Sequence, residues 1–191
     1  MRPPAGCTYD LEALSRYAGP VQPDWQPHLS NDRVILRPMQ ATDLDALHAA
    51  AADPLVWAQH SEPNRHERAV FERFFAGAMA SGGALVALEP GTGRVIGSSR
   101  YYDWDPASRS VVVGYTFLAR DHWGTGTNRA MKDLMLAHAF RWAETVWFHV
   151  SPGNHRSQRA LEKLGAVLDR QELVPVGGVM SPRRIYRVTR P

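Results

Sequence analysis

The 191-residue sequence has few of the features that mark secreted proteins, proteins stabilised by a bound metal, or membrane-spanning proteins. Cys7 is its only cysteine, which excludes an internal disulfide and a zinc site built from several cysteines. No apolar run approaches the roughly 20 residues that a transmembrane helix needs. Residues 1–10 (MRPPAGCTYD) lack the apolar segment of a secretory signal. We therefore expect a cytoplasmic protein with no membrane partner and no bound metal.

The sequence also lacks any block of basic residues. Its 22 Lys and Arg exceed its 19 Asp and Glu only slightly, for a net charge of +3. That excess suits an anionic small ligand at least as well as a nucleic acid. Nucleic-acid binding is one alternative function, and it rests only on this excess of positive charge and on the aromatic residues.

Two parts of the chain differ in composition. Residues 1–30 are rich in proline, and we interpret them as a flexible or surface-bound extension with a short helix as an option over 10–17. Residues 31–191 are expected to form a single domain. Periodicity and Gly/Pro breaks predict the order βααβββαβαββ, which indicates an α/β (α+β) fold with a mixed sheet of about seven strands. The predicted strands are 33–38, 84–89, 94–102, 110–118, 145–150, 166–173 and 183–190, and the predicted helices are 41–53, 66–83, 128–143 and 154–165.

The stretch HWGTGTNRAMK (122–132) places Gly124 and Gly126 between a predicted strand and a predicted helix. Free N–H groups at the start of such a helix commonly hold a phosphate. Thr127 stands where a Walker A motif needs lysine, and Arg129 stands where the dinucleotide fingerprint needs a third glycine. On this stretch alone, a phosphate site and an ordinary helix start without a ligand are equally open.

A second helix start lies in NHRSQRALEKLGA (154–166), where Asn154 occupies the N-cap position. Arg156, Arg159 and Lys163 recur at i, i+3 and i+7 and therefore share a face. A solvated basic face is one interpretation. The other is a wall for a second anionic group, so that the two helix starts would suit a ligand with a pyrophosphate and a separate phosphate.

The order strand, W-G-x-G, helix, strand, then N-x-R-S-x-x-A-x-E-K-x-G-A resembles the GNAT superfamily of acetyl-CoA-dependent N-acetyltransferases. It is closest to the RimL-like branch, whose members include enzymes that acetylate the N-termini of ribosomal proteins. The resemblance runs from Asn31 to Val188 and includes RVILRPMQATDLDAL, GSSRYYD and VVVGYTFLARDHWGTG. It implies a sheet splayed between its fourth and fifth predicted strands, helices on both faces, and acetyl-CoA in the gap.

The resemblance also implies a set of residues for coenzyme A. The pyrophosphate would lie on the amides of residues 123–127, and the pantetheine arm would pair with backbone near Phe117 and Leu118 and bond to Asn154. Asp121 departs from the family motif and is expected to point away. The implied cofactor-binding residues are Phe117, Leu118, Trp123, Gly124, Thr125, Gly126, Thr127, Asn154, Arg156, Ser157, Arg159 and Lys163.

The general-acid tyrosine of many relatives is replaced here by Leu161, so Ser157 is predicted to meet the departing thiolate. Capping of the helix is its alternative role. The fourth predicted strand holds no carboxylate, which leaves Asp103, Glu62, His60 or a chain of water molecules as the base. The acceptor pocket is expected between the 55–65 loop, the third predicted strand and a flexible lip at 174–184, and only one of the adjacent Tyr101 and Tyr102 can face it. Its candidate residues are Trp57, His60, Glu62, Tyr101, Tyr102, Asp103 and Tyr115.

The predicted reaction is direct attack by a primary amine on the thioester in a ternary complex, with a strand N–H stabilising the oxyanion. The amine would belong to a peptide or protein N-terminus or to a small molecule. A non-catalytic CoA-binding or regulatory protein on the same fold is the alternative, because Ala130, Leu161 and the missing strand carboxylate depart from the family pattern. A homodimer is a further expectation.

Overall fold

The computed structural model describes residues 22–176 and 178–191, so Cys7 and the predicted helix at 10–17 lie outside the described residues. The α-helices of this part are α1 (Leu44–Ala51), α2 (Arg68–Ala80), α3 (Thr127–Ala139) and α4 (His155–Leu164), and short 3₁₀ turns span Ala41–Asp43, Pro54–Val56 and Arg120–His122. The strands are β1 (Leu29–Ser30), β2 (Ile35–Pro38), β3 (Ala84–Leu88), β4 (Val95–Asp105), β5 (Ser110–Leu118), β6 (Thr145–Val150), β7 (Val167–Val176) and β8 (Val179–Thr189).

The strands form one mixed sheet in the order β1-β2-β3-β4-β5-β6-β8-β7. Its neighbours are antiparallel except β5 and β6, which run parallel. The predicted mixed α/β sheet is confirmed. The strand beyond the seven predicted is β1, which has two residues and pairs with Ile35 and Leu36.

Helices pack on both faces of the sheet, because neighbouring strand residues point to opposite sides. Leu85 belongs to a core cluster with Met131 and Met135 of α3. The next residue, Val86, belongs to a second cluster with Phe71 of α2. Two hydrophobic layers thus hold the sheet between α3 and α4 on one side and α1 and α2 on the other.

The segment before residue 31 takes part in this packing. Trp25 and Leu29 lie against the first core cluster, and the Trp25 ring centroid is 5.6 Å from that of Trp142. The carbonyl of Asp24 lies 2.8 Å from Nε2 of the buried His138. The packed region therefore begins earlier in the chain than the composition change near residue 30 indicates.

The predicted flexible lip at 174–184 is wrong, because β7 and β8 pair as far as Val176 and Val179. Pro175 is tolerated because β7 is an edge strand of the sheet. Among the described residues, no helix is both long and apolar enough to cross a membrane.

Candidate active site

The parallel pair β5–β6 holds together over only three residues of each strand, Ser110–Val112 against Thr145–Trp147. Beyond that point β5 stays paired with β4, and β6 with β8, so the two strands separate. A cavity of about 850 Å³ opens in the gap and is lined by both strands. It has two ends of different character, which we call the glycine end and the arginine end. The glycine end is lined by Trp123, Gly124, Gly126, Asn154, Ser157 and Lys163, and the arginine end by His60, Arg65, Tyr102, Asp103, Tyr115 and Arg183.

A bulge in β5 shapes the middle of the cavity. The pairing register shifts there, since Ser98 faces Phe117 whereas Arg100 faces Gly114. Tyr115 within it has a φ of 52°, which is rare for a bulky side chain. As a result, the consecutive residues 114, 115 and 116 all line the cavity, whereas a regular strand would turn alternate residues away.

The glycine turn forms the start of α3. Gly124 and Gly126 have φ values of 76° and 88°, which glycine adopts at little cost. Arg33 holds the turn by donating from Nη1 to the carbonyl of Thr125 at 2.9 Å. Gly126 is the N-cap of α3, so the first N–H groups of that helix have no acceptor within it. The N–H of Thr127 donates to Oγ1 of Thr125 at 3.4 Å, and those of the next residues are available to an anion.

Thr125 and Thr127 are not part of the cavity lining. Their hydroxyl oxygens lie 2.8 Å apart, and that of Thr125 donates to the carbonyl of His122 at 2.8 Å. These side chains therefore stabilise the turn from within. Asp121 also lies outside the lining and accepts from Nη2 of Arg94 at 2.8 Å, which matches the expectation that it points away.

The start of α4 forms the facing side of the glycine end. Buried Asn154 accepts at Oδ1 from the backbone N–H of Ser157 at 3.1 Å and so caps the helix. Ser157 lines the cavity, and its hydroxyl forms no hydrogen bond with the part of the chain that the structure describes. Its hydroxyl is therefore available to a ligand.

The basic face predicted on α4 is divided between two surfaces. Arg156 and Lys163 line the cavity, and the Arg156 guanidinium lies 3.8 Å from the Trp123 ring centroid. Arg159 instead borders a shallow groove with His155 and Glu162. At 100° per residue, Arg159 is rotated about 60° from Arg156 and toward that groove. Its inclusion among the residues at the cavity is therefore corrected.

The side chains of Phe117 and Leu118 differ at the end of β5, and the predicted pairing of a ligand with their backbone stays a prediction. The Phe117 side chain is buried in the second core cluster, whereas its neighbour Leu118 lines the cavity. The Leu118 carbonyl accepts from Nε1 of Trp123 at 3.0 Å. That bond ties the end of β5 to the glycine turn.

At the arginine end, Tyr102 lines the cavity and Tyr101 does not. Tyr101 is fully buried on the opposite face, where its hydroxyl donates to the carbonyl of Met135 at 2.8 Å. Trp57 is likewise in the core, with Nε1 donating to the carbonyl of Ala51 at 2.8 Å. Neither Trp57 nor Tyr101 is therefore a wall of this cavity, because their apolar rings have better partners in the core.

The charged groups of the arginine end affect one another. Glu62 lies outside the lining and accepts from Nε of Arg65 at 2.8 Å. Burial, together with the positive charges of Arg65 and Arg156, lowers the pKa of His60 to about 4. His60 is therefore neutral at pH 7. The rings of Tyr102 and Tyr115 pack edge to face, with centroids 5.1 Å apart.

Lys132 is a cavity residue that sequence reasoning missed. It is only 5% exposed, and Nζ donates to Oγ1 of Thr116 at 2.6 Å and to Oγ of Ser99 at 3.1 Å. Burial lowers its pKa to about 7. The available signal was its place in α3 three residues before the buried Met135, where an amphipathic helix rarely carries lysine. Arg65 and Arg183 were not named as candidates, although they lie in the 55–65 and 174–184 segments that were expected to line the acceptor pocket. Arg183 also begins the predicted strand 183–190.

The donor set of the glycine end fits a phosphorylated ligand, since it combines helix N–H groups with Lys163. Arg156 lies next to this end over the Trp123 ring and adds a second positive charge. The model for the acetyltransferase (GNAT) domain matches residues 33–167. A search of curated proteins found no match by sequence.

Solved structures share the fold. A GCN5-related N-acetyltransferase from Brucella melitensis has a TM-score of 0.72 and 20% identity, over 86% of this chain and 79% of its own. A GNAT-family protein from Chromobacterium violaceum ATCC 12472 has a TM-score of 0.78 and 16% identity, over 98% and 97%. RimJ of Mycobacterium smegmatis, in complex with CoA-disulfide, has a TM-score of 0.69 and 20% identity, over 86% and 88%.

Proposed function

The chain belongs to the acetyltransferase (GNAT) family, whose members use acetyl-CoA, and from this premise we propose that it acetylates a primary amine. The amine belongs to a peptide or protein N-terminus or to a small molecule. One observation carries the proposal. A single cavity joins a turn suited to phosphate, a gap between two strands, and a polar end with groups that can handle a proton.

We assign the glycine end to the donor. The N–H groups at the start of α3 would hold the pyrophosphate, and Arg156 and Lys163 would face its other phosphate. The pantetheine arm would occupy the gap between β5 and β6, with Asn154 beside it. Bound there, acetyl-CoA supplies an activated acyl group.

The chemistry falls to the residues around the β5 bulge. The amine nitrogen bonds to the thioester carbonyl carbon, the carbon–sulfur bond breaks, and the electron pair goes to sulfur. A backbone N–H of β5 would bind the carbonyl oxygen as it gains charge. Ser157 is the proposed donor to the departing sulfur. Lys132 supports the bulge through Thr116 and Ser99.

The proton leaving the amine needs an acceptor at the arginine end. His60 and Asp103 line the cavity there, whereas Glu62 is held outside by Arg65. His60 is neutral at pH 7, so one ring nitrogen is free of a proton, but its pKa of about 4 makes it a weak base, and we expect it to act through water. We propose His60 or Asp103 for this role and withdraw Glu62.

Two measurements test this function. Isothermal titration with acetyl-CoA is expected to give a 1:1 complex. Release of free CoA thiol, followed with a panel of peptides and amines, is expected to show turnover that depends on the acceptor. Binding without turnover on any acceptor would favour the non-catalytic alternative, and absence of binding would defeat the donor assignment.

A further inference from the structure

Positive charge dominates the cavity well beyond the glycine end. Among the described residues that line it, Asp103 alone carries a carboxylate. The lysines and arginines of that lining are Arg65, Arg129, Lys132, Arg156, Lys163 and Arg183. Arg156 and Lys163 have a role toward a phosphorylated donor, but Arg65 and Arg183 lie at the other end, where no phosphate is assigned.

Arg183 is the most unusual of these residues. It is 7% exposed, and its Nη1 donates to Oγ of Ser151 at 3.1 Å and to the carbonyl of Pro182 at 2.9 Å. Both partners are neutral, and Arg183 forms no ion pair within residues 22–176 and 178–191. A buried guanidinium without a countercharge is costly to keep, which points to a countercharge that a ligand brings.

Arg65 adds to the same field. It is 6% exposed and lies over the Phe74 ring, with its guanidinium carbon 4.7 Å from the ring centroid. Burial lowers the pKa of Arg183, the hydroxyls of Tyr102 and Tyr115 raise it, and Arg65 lowers it further. Because Glu62 approaches Arg65 from outside the cavity and its side chain is 56% exposed, it offsets Arg65 only in part.

We propose that the acceptor is an amine that also carries a carboxylate, which Arg183 binds with support from Arg65. This inference rests on the proposed acetyl transfer and names its substrate class. The planar guanidinium fork matches a carboxylate, and Tyr102 and Tyr115 form an aromatic wall beside it. The same field disfavours polycationic amines. A free amino acid and a peptide with an acidic first residue share this chemistry.

The experiment compares acceptors that differ only in charge. Acetyl transfer is measured with alanine against alaninamide, and with hexapeptides that begin with Glu, Gln or Lys and are otherwise identical. We expect kcat/KM to be at least about tenfold higher for the carboxylate member of the preferred pair, and lowest for the Lys peptide. The free amino acids and the peptides separate the two sources of the carboxylate.

Variants tie the preference to the residue. Arg183→Gln is expected to reduce the ratio of kcat/KM between the carboxylate and amide members of the preferred pair to about one. Arg183→Lys is expected to restore part of that ratio, because lysine keeps the charge and loses the fork. Arg187→Gln, on the same strand but exposed and bound to Asp169, is the matched control and should keep the ratio. An unchanged Kd for acetyl-CoA shows that each variant is folded.

Every result bears on the inference. A carboxylate-to-amide ratio within twofold of one in both pairs, or a ratio that survives in Arg183→Gln, overturns it while acetyl transfer stands. If no acceptor is turned over, titration of the N-acetylated carboxylate and amide members of each pair into the CoA complex decides. Stronger binding of the carboxylate form that is lost in Arg183→Gln supports the inference, and equal binding overturns it. Absence of acetyl-CoA binding defeats the proposed function itself.

Discussion

The glycine end and the arginine end of the cavity differ in the groups that they offer to a ligand. The glycine end comes from two short stretches, 122–132 and 154–166, and offers mainly backbone N–H groups at helix starts. The arginine end comes from the loop before α2 and from β4, β5 and β8, and it offers side chains. Backbone groups suit a fixed ligand, while side chains can change without altering the fold. The difference indicates a constant donor and a specialised acceptor.

This comparison predicts that a substitution at one end of the cavity leaves binding of the ligand at the other end unchanged. Substitutions in the glycine turn should weaken acetyl-CoA binding whatever acceptor is used. Substitutions at the arginine end should change acceptor kinetics while the Kd for acetyl-CoA stays constant.

The largest effect is expected from Gly126→Val. A valine at a φ of 88° is strained by about 1–3 kcal/mol, and relief of that strain would displace the N–H groups at the start of α3. We expect acetyl-CoA affinity to fall about 100-fold, near the upper end of that range, measured by isothermal titration. Gly82→Val is the matched control, since Gly82 has a φ of 65° after the end of α2 and does not line the cavity. Equal affinity of both variants would remove the turn from the donor site.

Ser157→Ala is expected to lower kcat about tenfold, with little change in the Kd for acetyl-CoA. The reason is the loss of one hydrogen bond to a charged sulfur, worth about 1.5 kcal/mol or more. Single-turnover kinetics on the best acceptor measure it, with Ser108→Ala in the β4–β5 turn as control. An unchanged kcat would leave Ser157 only a structural role at the start of α4.

Lys132→Met tests the middle of the cavity through stability. In the folded state the pKa of Lys132 is about 7, below the roughly 10.4 of a free lysine. Between these values the unfolded chain binds more protons, so the free energy of unfolding should rise with pH from about 7 to 10. Lys132→Met should show no such rise. Its free energy of unfolding at pH 7 should exceed that of the parent by about 2 kcal/mol, after the loss of the hydrogen bonds to Thr116 and Ser99 is subtracted.

Urea unfolding at pH 6.5, 8 and 9.5 measures this difference between Lys132→Met and the parent protein. Lys163→Met, which removes an exposed lysine, should keep the slope of the parent. The same slope in Lys132→Met would show that Lys132 is charged in the folded protein near neutral pH.

The smallest expected change in kcat/KM distinguishes the candidates for the base that takes the proton of the amine. Glu62→Gln should change kcat/KM less than about twofold, because Glu62 lies outside the lining. His60→Gln or Asp103→Asn should lower it about threefold or more, since only a group at the amine can take its proton. A larger loss from Glu62→Gln than from the other two would reverse this assignment.

Local patterns predicted most of the sheet and most of the glycine end. β5 and β6 match their predicted bounds, because alternating β-branched residues between turn residues determine them locally. The choice between Tyr101 and Tyr102 follows from the two-residue repeat of a strand, although the repeat alone does not say which one faces the cavity.

The arginine end could not be predicted in the same way. Arg65 and Arg183 are 118 positions apart and meet only because the sheet brings β8 and the loop before α2 to one gap. The 174–184 segment reads as a loop from its glycines and prolines, and only pairing with a neighbouring strand shows that it is a hairpin. Trp57 was wrongly predicted to line the pocket, because it lies in a loop-like stretch and the sequence does not show which helices and strands pack around its ring.

The most direct test of the division between the two ends is one set of titrations with acetyl-CoA. The parent protein, Gly126→Val and Arg183→Gln are compared at the same pH and salt concentration. The division predicts that Gly126→Val loses about two orders of magnitude in affinity while Arg183→Gln binds within twofold of the parent. A loss of affinity in Arg183→Gln as large as that in Gly126→Val would contradict it, because the arginine end would then hold the donor.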